Sequence, residues 1–360
     1  MIPAEYYSLV YILIVIAFAI PVCNRYQCYS IDRVDSFDIE PIGKSLLFTI
    51  LIIVFVAVRP NSPVFADGPG YWYAIVDHRW EYLSLEKVSN QFATKYLIGT
   101  MSMIGLAPRI GFFVYAIIVY GFALLAMRKL FPRDTLLAMI LYCGTFTVFG
   151  LATNGIKNGM ALSLFLCALA YKENFILWLT FLVISIGFHH SMQISIAAFI
   201  LCCFYKNTKH YYVLWIIGAL IATAHISYFQ NFFAGYTDES GKRYLITNAD
   251  SFLTGFRPDF MAYSAAPLAI GWWIIHSLQL QLPQKYKFSL NVYLVTNTIW
   301  LLCMYSSFTN RIATLSWNLF PILLLSPFLT MKVHIWQFRY LTWVVYGQLG
   351  FTLLMTILSM

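Results

Sequence analysis

Leu46-Leu47-Phe48-Thr49-Ile50-Leu51-Ile52-Ile53-Val54-Phe55-Val56-Ala57-Val58 is the stretch that decides the fold. Thr49 is its single polar residue, and polar and apolar positions do not alternate. Strands of a membrane barrel would alternate. Backbone groups in lipid must bond within their own segment, so such a run predicts a helix. Ile322 to Leu329 reads the same way, and apolar runs recur from end to end. The composition agrees. Of 360 residues, 60% are hydrophobic, 18% aromatic and only 11% charged, with a mean hydropathy of +0.71. Soluble globular chains carry about 25% charged residues, so this composition excludes that class. The expected fold is all-α: a polytopic integral membrane protein with about twelve transmembrane helices of some 20 residues each.

The predicted spans cover 6–23, 42–58, 109–128, 134–151, 156–171, 174–188, 191–205, 211–229, 263–281, 288–306, 312–331 and 340–358. Segment 86–107 is a weaker candidate that could lie at the interface, re-enter, or cross. The first span has no preceding basic residue and no clear small-residue cleavage site, so it reads as a retained helix and not a signal peptide. No internal repeat or long linker divides the chain, which predicts a single membrane domain over 1–360. The seven cysteines show no CxxC or Cys/His spacing, so neither a disulfide nor a cysteine metal site is expected.

Sidedness follows from basic residues in alternate short connections. Arg25, Arg33, Arg128, Lys129, Arg133, Lys172, Lys206, Lys209, Lys285, Lys287, Lys332 and Arg339 fall in one set, which is therefore cytoplasmic. The other face holds two long loops, 59–108 and 230–262. The net charge of +8 is thus mainly topological. Nucleic-acid binding would need a clustered basic face, and none is present.

Three places carry polar groups that topology leaves unexplained, all on the outer side. The first is Arg59, followed by Asp67 and Tyr71. The second is a pair of short turns, one with Asn154 and Lys157, the other with His189 and His190. Polar groups at membrane depth usually line a cavity or pathway. A histidine titrating near 6.5 can serve as base or acid at neutral pH. The third gathers Lys242-Arg243, then Arg257, Asp259 and Tyr263, then Asn310-Arg311. Arginine forks grip phosphate oxygens bidentately, although Arg257 and Asp259 could equally form an ion pair that orders their loop. A Walker A loop, a Gly-x-Ser-x-Gly elbow and a His-Glu-x-x-His signature are all absent, so no nucleotide-driven pump, serine hydrolase or zinc peptidase is indicated. Paired intramembrane carboxylates, expected of a proton-coupled carrier, are also missing.

The order of these motifs resembles the EpsG family, the Wzy-like polymerases of bacterial exopolysaccharide and O-antigen. The likeness runs through Arg59, Asp67, Tyr71 and Tyr73; Asn154-Gly155-Ile156-Lys157-Asn158-Gly159; Phe188-His189-His190-Ser191; Gly255-Phe256-Arg257-Pro258-Asp259-Phe260 with Tyr263 and Ser264; and Asn297, Trp300, Phe308 to Arg311, Ser316 and Trp317. Lys157-Asn158 stands where the family typically has Arg-Gln, so the charge is kept but the guanidinium fork is lost.

The resemblance implies a GT-C-like membrane glycosyltransferase in the bacterial inner membrane with its active site facing the periplasm. Its substrate would be an undecaprenyl-pyrophosphate-linked oligosaccharide, bound beside membrane lipid and without a cofactor. A chain-length regulator and a flippase are the partners the family suggests. His189 or His190 would be the base, with His189 slightly favoured. Arg59, Asp67, Tyr71, Asn154, Lys157, Arg243, Arg257, Asp259, Tyr263, Asn297, Asn310 and Arg311 would hold substrate or pyrophosphate. An O-antigen ligase-like transferase, a flippase and a scaffold are the alternatives. The topology predicts that Thr237→Cys reacts with a membrane-impermeant thiol reagent in intact cells; labelling only after lysis would reverse the orientation.

Overall fold

A computed structural model describes residues 2–36, 38–77, 91–226, 228, 255–306 and 309–360. Among these residues all regular structure is helical. The α-helices are α1 (Tyr7–Gln27), α2 (Ile42–Ala57), α3 (Gly68–Val76), α4 (Phe92–Met103), α5 (Pro108–Leu130), α6 (Thr135–Cys143), α7 (Val148–Thr153), α8 (Ile156–Ala170), α9 (Phe175–Phe188), α10 (Met192–Phe204), α11 (Thr208–Thr223), α12 (Pro258–His276), α13 (Gln284–Leu302), α14 (Thr309–Trp317), α15 (Phe320–Thr330) and α16 (Gln337–Leu358). Contacts divide the chain into two compact units, Met1–Gln193 with Phe328–Met360, and Ile194–Pro327. In the first, α5 packs on α2 and α8, α8 on α9, and α1 on α16; in the second, α11 packs on α13.

Surface chemistry marks the chain as membrane-embedded. On α2, Leu47, Ile50, Leu51 and Val54 form an exposed apolar stripe at helical spacing, while Phe48, Ile52 and Val56 are buried. Phe175, Ile176, Leu179 and Val183 do the same on α9. Water would penalise such continuous patches, whereas acyl chains accept them.

Among the described residues, four helices or helix pairs are long and apolar enough to span: Ala4–Gln27, Pro108–Leu130, Thr309–Thr330 and Gln337–Leu358. Several other predicted spans form shorter apolar helices: α2 with 16 residues, α8 with 15, α9 with 14 and α10 with 13. At 1.5 Å per residue, α2 reaches about 24 Å, short of a hydrocarbon core of about 30 Å.

Two segments differ from the sequence expectation, and a third lies mostly outside the described residues. The predicted outer loop 59–108 contains α3 and α4, and α4, with 12 residues, falls inside the weaker candidate 86–107. The predicted loop 230–262 lies mostly outside the described residues. The continuous helix predicted over 134–151 is broken between α6 and α7. At that break the Gly144 carbonyl accepts from Thr352 Oγ1 at 2.7 Å and from Gln348 Nε2 at 3.4 Å. Side chains of α16 thus replace the helical hydrogen bond, and lipid never meets a bare carbonyl.

The turn between α7 and α8 is tight. A Cβ on Gly159 would lie 2.6 Å from the Leu151 carbonyl oxygen and 3.0 Å from its carbon, so only glycine allows the two helices to fold back this closely. Gly150, in contrast, has nothing within 4 Å of an added Cβ. Gly159→Ala is expected to cost about 1–3 kcal/mol through overpacking, read as a lowered unfolding midpoint in detergent. Gly150→Ala should be neutral or slightly stabilising.

Candidate functional site

The motif residues fall into both compact units. In the first, Arg59 follows α2 and is only 2% exposed. Its guanidinium donates to the Val56 carbonyl at 2.9 Å and the Thr153 carbonyl at 3.3 Å, and lies 4.3 Å from the Phe112 ring centre. Burial pushes its pKa down to about 10, which still leaves a cation at neutral pH. Arg59 therefore ties the carboxyl ends of α2 and α7 together, where a cation suits the helix dipole. Arg109, which sequence reasoning missed, adds to the same knot by donating to the carbonyls of Ala57 and Arg59. The signal that could have found it is a basic residue at the end of a span predicted to face outward, against the positive-inside bias.

Asp67 is exposed at the amino end of α3. Tyr71, one turn on, is buried edge-to-face against Tyr115, with ring centres 5.7 Å apart.

Asn154 and Lys157 flank the start of α8. Lys157 sits in its first turn and is half-buried. The shielded Asn154 Oδ1 lacks a donor among the described residues, and such an acceptor costs about 1–3 kcal/mol until one arrives.

The turn after α9 brings in the histidines. α4 braces it: Thr94 Oγ1 donates to the Phe188 carbonyl at 2.9 Å, and the Phe92 ring occupies the space a side chain at Gly187 would need. His189 and His190 stack with ring centres 4.7 Å apart. His189 is half-buried and His190 exposed. The Ser191 backbone N–H, which can only donate, points to His189 Nδ1 at 3.2 Å. Nδ1 therefore accepts, and the neutral ring carries its proton on Nε2. Ser191 Oγ lies 2.7 Å from the same nitrogen and 3.4 Å from Asn158 Oδ1, which links the histidine turn to α8. His190 Nδ1 faces the Gln91 side-chain amide at 3.0 Å. That amide can serve either tautomer by turning over, so His190 remains free to accept at one nitrogen.

In the second unit, Arg257 grips Asp259 through both Nε, at 2.9 Å, and Nη2, and its guanidinium lies 3.9 Å from the Phe260 ring centre. Of the two sequence readings, the ion pair is thus formed. Asn297 is fully buried and uses its whole amide: Nδ2 donates to Ser264 Oγ at 3.2 Å and Ser316 Oγ at 2.9 Å, and Oδ1 accepts from Trp215 Nε1 at 2.7 Å. Trp317 Nε1 donates to the same Ser264 hydroxyl at 2.7 Å. Tyr263 packs against the Trp317 and Phe320 rings. Residues of α11, α12, α13 and α14 are thereby joined at one polar hub. Asn310 is half-buried with Oδ1 unmatched, and Arg311 is exposed in the first turn of α14. Arg243 lies outside the described residues.

The EpsG family matches residues 44–359. The chain belongs to the EpsG family. Membership places it, at a general level, among the polymerases of polysaccharide biosynthesis. No curated protein and no solved structure matches the chain. The motif residues that carry the resemblance thus have two physical characters in this EpsG protein. Arg59, Asn297, Ser264, Ser316 and Trp317 are buried and bonded to protein groups. Asp67, Lys157, His189, His190 and Arg311 lie at helix ends with exposed or half-buried side chains.

The Asn297 hub generates a stability prediction. Asn297→Ala strands the Trp215 N–H and removes two donors, at an expected cost of about 2–4 kcal/mol. Trp215→Phe removes one bond while keeping the ring, at about 1 kcal/mol. Thermal unfolding of the purified protein, followed by tryptophan fluorescence, should rank them in that order; equal midpoints would mean that the hub is not what holds these helices.

Proposed function

We propose that this EpsG protein polymerises lipid-linked oligosaccharide repeat units at the outer face of the bacterial inner membrane. The acceptor is a sugar hydroxyl of a new repeat unit. The donor is the growing chain on undecaprenyl pyrophosphate. The acceptor oxygen bonds to the anomeric carbon, the bond from that carbon to the pyrophosphate oxygen breaks, the electron pair leaves with the pyrophosphate, and the hydroxyl proton passes to a base.

The observation that carries this reading is the cluster formed by the two motif turns: Lys157 in the first turn of α8, with His189 joined to α8 through Ser191 and Asn158. A leaving pyrophosphate needs positive charge and hydrogen-bond donors. The amino end of α8 supplies N–H groups that have no partner within the helix, and the positive pole of the helix dipole, and Lys157 adds a cation. His189, with its proton on Nε2, adds a directed donor. The base role then falls to His190, although the sequence slightly favoured His189. Asn154 Oδ1 is an acceptor that a sugar hydroxyl would satisfy. Arg59 is assigned to the framework and not to the pyrophosphate.

Substitutions at the two histidines separate these roles. Glutamine at 189 places an amide N–H near the position of Nε2, whereas asparagine places it near Nδ1. With purified protein and a synthetic lipid-linked repeat unit, His189→Gln should keep measurable polymer. His189→Asn and His189→Ala should lose about 2–4 kcal/mol of transition-state stabilisation, or roughly thirtyfold to thousandfold in rate. His190→Ala should bind the lipid-linked substrate yet form no ladder. Near-normal ladders from both alanine variants would remove histidine from the chemistry.

A further inference from the structure

At the opposite end of α2 from Arg59, still within the first unit, the described residues enclose a cavity of about 210 Å³. Its walls come from the last turn of α1, the connection 28–41, the first turn of α2 and the start of α6. Val22, Tyr26, Tyr29 and Leu137 form the apolar part; Arg25, Arg33, Lys44 and Arg133 bring positive charge, and Asp38 and Glu40 negative charge.

The carboxylates here are occupied. Glu40 accepts from the Leu136 N–H at 2.9 Å at the amino end of α6. Asp38 accepts from the Ser36 hydroxyl at 3.2 Å. Asp32 and Asp35, on the same connection, pair with Lys332 at 3.3 Å and 2.5 Å. Asp134 takes Arg33 at 3.0 Å and the Tyr26 hydroxyl. Arg133 donates to the carbonyls of Val34, at 2.6 Å, and Ser36, neutral groups that leave its charge uncompensated. Arg25 and Lys44 have neither a hydrogen bond nor an ion pair among the described residues, and both are exposed. Four cations thus line the cavity against the carboxylates of Asp38 and Glu40, and Asp134 pairs with one of the four, which leaves one positive charge in excess at the lining.

We infer that this cavity binds a phosphate-ester anion carried by a membrane lipid. The charge calls for an anion, and the paired forks and ammonium groups suit phosphate oxygens. The position favours a lipid-borne one. α1 and α2 expose Leu13, Ile20, Leu47 and Ile50, an apolar surface along which acyl chains can lie while the headgroup enters the cavity. Basic pockets where spans end are a recurrent way of holding anionic headgroups. The inference is independent of the proposed polymerase chemistry, because it concerns the other end of α2 and is read out by binding.

The test uses the purified full chain in neutral detergent, with thermal unfolding followed during titration with dioctanoyl phosphatidylglycerol, dioctanoyl phosphatidylcholine or inorganic phosphate. Ligand that binds only the folded state raises the midpoint in a saturable way. Phosphatidylglycerol should do so and phosphatidylcholine should not. The double variant Arg25→Gln with Lys44→Gln removes two charges that have no protein partner, so it should fold, and its apparent affinity should fall by about tenfold or more. Lys206→Gln with Lys209→Gln removes two charges elsewhere and should behave as wild type. A saturable response to inorganic phosphate, equal to that of the lipid and lost in the same double variant, would keep the anion site but overturn the lipid as its source. No saturable response in the wild type, or an equal response in the Arg25/Lys44 variant, would overturn the site.

Discussion

Lipid offers no hydrogen bonds, so a polar group this chain carries into the membrane is costly unless it finds a partner in the protein. That constraint shapes the interior more than hydrophobic contact does, because lipid and leucine are equally apolar. The carbonyl left bare where α6 breaks is taken by Thr352 and Gln348. Asn297 has two donors and one acceptor engaged. Gln337 is completely buried, donating to the Phe328 carbonyl at 2.7 Å and accepting from the Val333 N–H at 2.8 Å. The first two join segments far apart in sequence, so satisfying polar groups also determines which helices neighbour each other.

The same rule explains why chemistry gathers at helix ends. In mid-span the backbone bonds to itself, and a charged side chain would be stranded. At the ends, N–H and carbonyl groups lack intrahelical partners, so cations and amides can be held there. Arg59 follows the carboxyl end of α2, and Arg109 reaches that same end from the first turn of α5; both donate to bare carbonyls there. Lys157 sits at an amino end, where the dipole opposes a cation but favours an anionic ligand. The two arginines are thus stabilised by the fold alone, whereas Lys157 is placed where an anion would complete its surroundings.

Much of this was legible in the sequence. Unbroken apolar runs predicted helices, and α2, α5, α8, α9 and α16 lie close to their expected positions. The motif turns at Asn154 and His189 were recognisable as polar breaks between apolar helices. The break at Gly144 was not, because Thr145, Phe146 and Thr147 keep the run helix-compatible, and the side chains that replace its hydrogen bond lie some 200 positions away in α16. Nor could spacing distinguish a buried arginine from a ligand-binding one: Arg59 and Arg311 read alike in sequence, yet one is enclosed and the other exposed.

By itself, the sequence determined that this is a helical membrane protein, where its polar turns lie, and which family it belongs to, because hydropathy and motif order are local properties of the chain. Only the tertiary structure decided what each polar group does. The tautomer of His189 depends on the Ser191 amide, the saturation of Asn297 on tryptophan and serine side chains from three other helices, and the unbalanced charge of Arg25 and Lys44 on carboxylates already bound elsewhere. A hydrogen bond has two ends, and the sequence around one end does not say which residue supplies the other.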